Sequence, residues 1–121
     1  MFLGLRTAIY PVADLATAKK WYEQVLGVAP YFDQPFYVGF SVSGFELGLL
    51  SDGTPGTSGP QPLWGVQDAT AAFQRLLSLG ATELEPVTDV GEGIKVAAVK
   101  DPFGNRLGII ENRHFKISEV R

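Results

Sequence analysis

Two stretches of the chain repeat the same order of apolar and polar positions. Leu3 to Val12 is β-rich, and its odd positions Leu3, Leu5, Thr7 and Ile9 share one face of an extended strand. Leu15, Ala18, Trp21, Tyr22, Val25 and Leu26 then recur at helical spacing. Asp14 sits where an N-cap belongs, and Gly27 is a natural left-handed stop. The spacing predicts a helix over 15–26. Two β-rich runs follow, Phe36–Val42 and Phe45–Leu50, separated by the hairpin pair Ser43-Gly44. Farther on, Asp68 caps a second stripe of Ala69, Ala72, Phe73, Leu76 and Leu77 before Gly80, predicting a helix over 69–79. Gly93–Val99 and Arg106–Glu111 are its β-rich partners. The turn Asp101-Pro102-Phe103-Gly104-Asn105 joins them, where Pro102 fixes φ and Gly104 permits a positive one.

The two halves align at an offset of 54 residues, which pairs Val12 with Val66, Asp14 with Asp68 and Ala18 with Ala72. Two modules, each about half the chain, are too short to be a solenoid array and read as a duplicated supersecondary unit. Each copy is β-α-β-β with room for one more strand, giving an α+β fold. Between the copies, residues 51–60 are rich in Gly, Pro and Ser and read as a mobile surface connector.

The duplicated unit, the Asp-capped helices, the Trp21-Tyr22…Leu26-Gly27 ending and the Asp101–Asn105 turn together resemble the vicinal oxygen chelate superfamily. That superfamily holds glyoxalases, extradiol dioxygenases, methylmalonyl-CoA epimerases, and bleomycin- and fosfomycin-resistance proteins. The resemblance runs from about Leu5 to Glu111. It implies one domain of two tandem βαβββ modules, over residues 1–50 and 61–111, with a C-terminal tail at 112–121. It also implies curved mixed sheets forming a cup, helices on the outer faces, and a site inside the cup.

Metal-dependent members place a His early on the first strand and a Glu on the last strand of each module. By the resemblance these positions fall on Thr7, Gly48, Gln61 and Gly108. Glycine offers no ligand, and neutral hydroxyl and amide oxygens bind transition metals weakly. The expectation is therefore no metal and no other cofactor.

Glu46 and Arg106 lie two residues before the two glycines, and period-2 alternation puts them on the same faces. They are candidate catalytic or ligand-contacting groups, or else a salt bridge or rim charges. Thr7 and Gln61 either bond a ligand or satisfy one another or a buried water. Tyr31, Phe32, Phe36, Tyr37 and Phe40 form an aromatic group, read either as core or as an apolar binding wall. Tyr37 and Phe40 are taken from it as ligand-binding candidates beside Gly48 and Gly108. Trp64 is expected to face the helices, and the lone His114 to be structural or exposed.

Composition narrows the picture further. The chain has 121 residues, 13 acidic against 10 basic, a net charge of −3, one histidine and no cysteine. One domain of this size folds without staples. Thiolate chemistry is excluded, and clustered basic residues for nucleic acid are missing. No apolar run approaches a membrane span. Two functions fit: a metal-independent binder of a small apolar or aromatic molecule, or a metal-independent lyase or isomerase using Glu46 as general base. A third is a dimeric accessory module with a vestigial cup. The expected setting is cytoplasmic and the expected assembly a homodimer, because open sheets carry edges that need cover.

Overall fold

The structure, a computed structural model, describes residues 3–120. They fall into two compact units that divide between Pro55 and Gly56. Unit 1 runs β1 (Thr7–Pro11), α1 (Leu15–Leu26), β2 (Phe32–Gln34), β3 (Tyr37–Val42) and β4 (Phe45–Leu50). Its sheet has the order β1-β4-β3-β2, with β1 parallel to β4 and the other pairs antiparallel. Unit 2 repeats this with β5 (Leu63–Gly65), α2 (Ala69–Ser78), β6 (Thr82–Asp89), β7 (Lys95–Lys100) and β8 (Arg106–Glu111), in the order β5-β8-β7-β6. Each is a βαβββ module.

Capping sets the helix ends. Asp14 accepts from the Thr17 N–H at 3.2 Å and from the Thr17 hydroxyl at 2.8 Å, which holds its carboxyl below the ordinary range. Gly27 closes α1 at φ 70°, a conformation that costs an L side chain. In unit 2, Asp68 accepts from the Ala71 N–H at 3.0 Å, and Glu111 reaches back from β8 to accept from the Ala69 N–H at 2.9 Å. Two carboxylates thus satisfy the first turn of α2, where the helix dipole favours them.

Each helix lies on one face of its own sheet. Ala18, Trp21 and Tyr22 of α1 are buried, as are Ala8, Tyr10, Val38, Phe40, Leu47 and Leu49 of the sheet. Tyr22 packs edge-on against Tyr10 and Trp21, with ring centroids 6.1 and 4.9 Å apart. Ala69, Phe73 and Leu76 cover Ala97, Val99, Leu107 and Ile109 in the same way. The alternation of the strands therefore leaves a second face of each sheet turned away from its helix.

Two turns follow from the sequence. Ser43 and Gly44 have φ of 52° and 93°, the paired positive values of a tight hairpin turn. In the Asp101–Asn105 turn the Asp101 carboxylate accepts from the N–H groups of Phe103 and Asn105, each at 2.9 Å. Asp101 and Asn105 are only 2% and 4% exposed, and the Asn105 side chain accepts from the Gly56 N–H at 3.1 Å. The turn thereby ties down one point of the connector.

The extra strand allowed in each copy is present, and β6 is its longer form. It is an edge strand carrying Glu83, Glu85 and Pro86, with register irregularities between Glu83 and Thr88. Charge, proline and bulges are the devices that keep an edge from pairing with another chain. No helix among the described residues is long and apolar enough to cross a membrane.

Candidate functional site

Strand register shows which side chains share the open face of the first sheet. Thr7 pairs with Glu46 and Ile9 with Gly48; across the sheet Gly39 pairs with Gly48 and Ser41 with Glu46. Thr7, Ile9, Tyr37, Gly39, Glu46 and Gly48 therefore point away from α1. The Glu46 carboxylate accepts from the Thr7 hydroxyl at 3.0 Å and the Tyr37 hydroxyl at 2.6 Å, both on Oε1, and from the Tyr31 hydroxyl on Oε2. The Tyr31 N–H donates to the Gly39 carbonyl at 3.0 Å, which anchors that residue to the sheet.

Glycines make this arrangement fit. A Cβ at Gly39 would stand 2.6 Å from Glu46 Oε2, and one at Gly48 would collide with the Tyr37 hydroxyl and lie 2.7 Å from its Cζ. The two glycines face each other across β3 and β4, so the carboxylate and the hydroxyl end of Tyr37 sit over bare backbone.

The electrostatics follow from the hydrogen bonds. Partial burial pushes the Glu46 carboxyl up. The donors Tyr31, Tyr37 and Thr7 together outweigh it, and the pKa lies below the ordinary carboxylate value. Burial, then the hydrogen bond and charge of Glu46, push the Tyr37 phenol well above its usual range; Tyr31 moves the same way, chiefly through its bond to Glu46. At neutral pH the cluster is one carboxylate and three protonated hydroxyls.

Unit 2 builds its equivalent face differently. Leu63 pairs with Gly108 as Ile9 pairs with Gly48, so the two glycines occupy matching positions. A Cβ at Gly108 would stand 2.8 Å from both a Leu63 methyl and the Pro62 carbonyl oxygen. Arg106, 11% exposed in its side chain, donates to Glu85 at 2.9 Å, while its buried Nε has no hydrogen-bond partner among the described residues. Gln61 is exposed just ahead of β5. Trp64 pairs in register with Ile109, on the helix side.

The structure thus joins Thr7, Tyr37, Glu46 and Gly48, and adds Tyr31 and Gly39. Phe40 is not with them: it pairs with Leu47 on the opposite face and is fully buried beneath α1. Strand parity separates it from Tyr37, since positions three apart project to opposite sides. His114 is exposed, and its Nε2 lies 3.0 Å from the Glu92 carbonyl oxygen. A carbonyl only accepts, so that nitrogen carries the proton.

The residues at the superfamily's ligand positions do not fit a resident divalent cation. Thr7 spends its proton on Glu46, the space over Gly48 holds the Tyr37 hydroxyl, and the space over Gly108 is filled by Leu63 and Pro62. Among the described residues no three His, Cys, Asp or Glu side chains come together as a metal-binding group.

Fold and sequence agree on the family. The profile of the Glyoxalase/Bleomycin resistance protein/Dioxygenase superfamily matches residues 4–109, and the chain belongs to that superfamily. A curated relative, CFP32 of Mycobacterium tuberculosis, is 26% identical in an alignment 113 residues long that covers 84% of this chain and 43% of that protein. The chain spans less than half the length of that relative. A glyoxalase-related enzyme from Fulvimarina pelagi has the same fold at a TM-score of 0.76 and 21% identity, over 96% of this chain and 93% of its own. Lactoylglutathione lyase from Agrobacterium tumefaciens superposes with a TM-score of 0.76 at 18% identity, over 93% and 98% of the two chains.

Proposed function

We propose that this member of the superfamily binds a small apolar or aromatic molecule without metal, on the open face of the first sheet, and acts in the cytoplasm as a homodimer. The observation that carries the reading is the Glu46 cluster. A carboxylate is held in place by three hydroxyl donors, over a pair of glycines that keep the surface low. Beside it, Ile9 and Tyr31 are 55% and 64% exposed and offer apolar surface to a ligand. Sites for small molecules combine such apolar walls with a few fixed polar groups.

The same hydrogen bonds argue against proton abstraction by Glu46. A general base works best with a pKa raised toward the working pH. Three donors stabilise the ionised form and lower the driving force for taking a proton. Titration of purified, chelator-treated protein with a neutral aromatic such as naphthylmethanol tests the binding reading. Saturable binding with a raised thermal midpoint supports it, because a ligand that prefers the folded state stabilises by mass action. Binding only after a divalent metal is added would overturn it.

A further inference from the structure

We infer that the Glu46 face takes an organic cation: a protonated amine carried on a flat apolar body. The inference rests on the binding reading above and narrows it to one class of ligand. Three features of unit 1 support it.

The first is an unbalanced charge. Lys19 pairs with Asp33 and Arg106 with Glu85, whereas the partners of Glu46 are hydroxyls and, among the described residues, no cationic side chain pairs with it. Thr7, Tyr31 and Tyr37 spread the negative charge through hydrogen bonds but do not neutralise it. A carboxylate on an apolar surface without a counter-ion gains most from a ligand that supplies one.

The second is an open acceptor position. Oε1 takes two hydroxyl protons and Oε2 takes one. A carboxylate has about four lone-pair sites, so one on Oε2 is left for an N–H donor. Such a bond is charge-assisted, and stronger than the neutral bonds an alcohol could make there.

The third is the aromatic surround. Tyr31 and Tyr37 send their hydroxyl protons to the carboxylate, and Phe32 packs against Tyr37 with ring centroids 6.1 Å apart. Rings attract a cation through their faces, and a phenol that donates to a carboxylate holds a more electron-rich ring. An anionic ligand would meet Glu46 itself. A hydrated metal ion would find a single carboxylate whose oxygens are largely occupied.

The test uses the whole chain and two probes of one shape, naphthylmethylammonium and naphthylmethanol, titrated calorimetrically after chelator treatment. The ammonium probe should bind about tenfold tighter at low salt. That preference should shrink toward unity at high salt and vanish in E46Q. The salt series on the unaltered protein decides the matter if E46Q does not fold. Equal affinities, or a preference that survives both high salt and E46Q, overturn the inference while the binding reading stands. Failure of both probes to bind removes the two together.

Discussion

Replacing Gly48 with alanine tests the packing logic of the site directly. The new methyl would collide with the Tyr37 hydroxyl and lie 2.7 Å from Cζ and 3.1 Å from Cε1. Tyr37 must swing away and break its 2.6 Å bond to Glu46. A hydrogen bond to a charged group contributes about 1.5–3 kcal/mol when buried. Partial exposure of this pair reduces that to about 1 kcal/mol. Against it, Gly→Ala in a strand interior gains about 0.5–1 kcal/mol. G48A alone should therefore be close to neutral, destabilising by no more than about 1 kcal/mol. The informative quantity is the coupling in a G48A/Y37F cycle. Y37F removes the atom nearest the new methyl and the bond at stake, so the coupling should be about 1 kcal/mol. Urea denaturation of the four proteins measures it. Additivity within about 0.3–0.5 kcal/mol would show that Gly48 is not there to seat Tyr37.

Further outcomes follow from the same contacts. The lowered pKa of Glu46 means its contribution to stability is present above the unfolded value near 4.5 and is lost as pH falls through the folded value. Denaturation midpoints of the wild type should thus fall more steeply in acid than those of E46Q; parallel acid limbs would count against the network. D68A should cost about 1 kcal/mol through the lost α2 cap, read as a lower urea midpoint with an unchanged slope. Elemental analysis should find well under one equivalent of zinc, nickel, iron or manganese per chain, and a chelator should leave the thermal midpoint unmoved. Light scattering on a sizing column should report a dimer at micromolar concentration; a monomer there removes the homodimer from the account.

Local rules carried much of the fold. The aspartate caps and apolar stripes placed both helices, because capping and a 3.6-residue period are read from neighbours in sequence. Ser43-Gly44 and the Asp101–Asn105 turn were legible for the same reason, since their backbone angles admit few residues. The match of Gly48 to Gly108 followed from the resemblance and from the Leu-Gly order shared by Glu46–Leu50 and Arg106–Ile110, and register reproduces it. The strand β6 was not legible: its charges and Pro86 protect an edge and so hide the alternation that marks a half-buried strand. Phe40 was grouped with Tyr37 by aromatic character, where strand parity sets them on opposite faces. Tyr31 lies outside any strand, so no period points it at Glu46. What brings it there is a backbone bond to Gly39 and the space that glycine leaves.

The central claim is that a small molecule binds the Glu46 face without metal. Amide chemical-shift mapping of isotope-labelled, chelator-treated protein during titration with naphthylmethylammonium tests it most directly. Saturable shifts centred on Thr7, Tyr31, Tyr37, Gly39, Glu46 and Gly48 are the expected result. The claim is contradicted by no shifts at all, by shifts that require added divalent metal, or by shifts centred instead on the outer groove of Leu15, Lys19, Pro35 and Val38 beside α1.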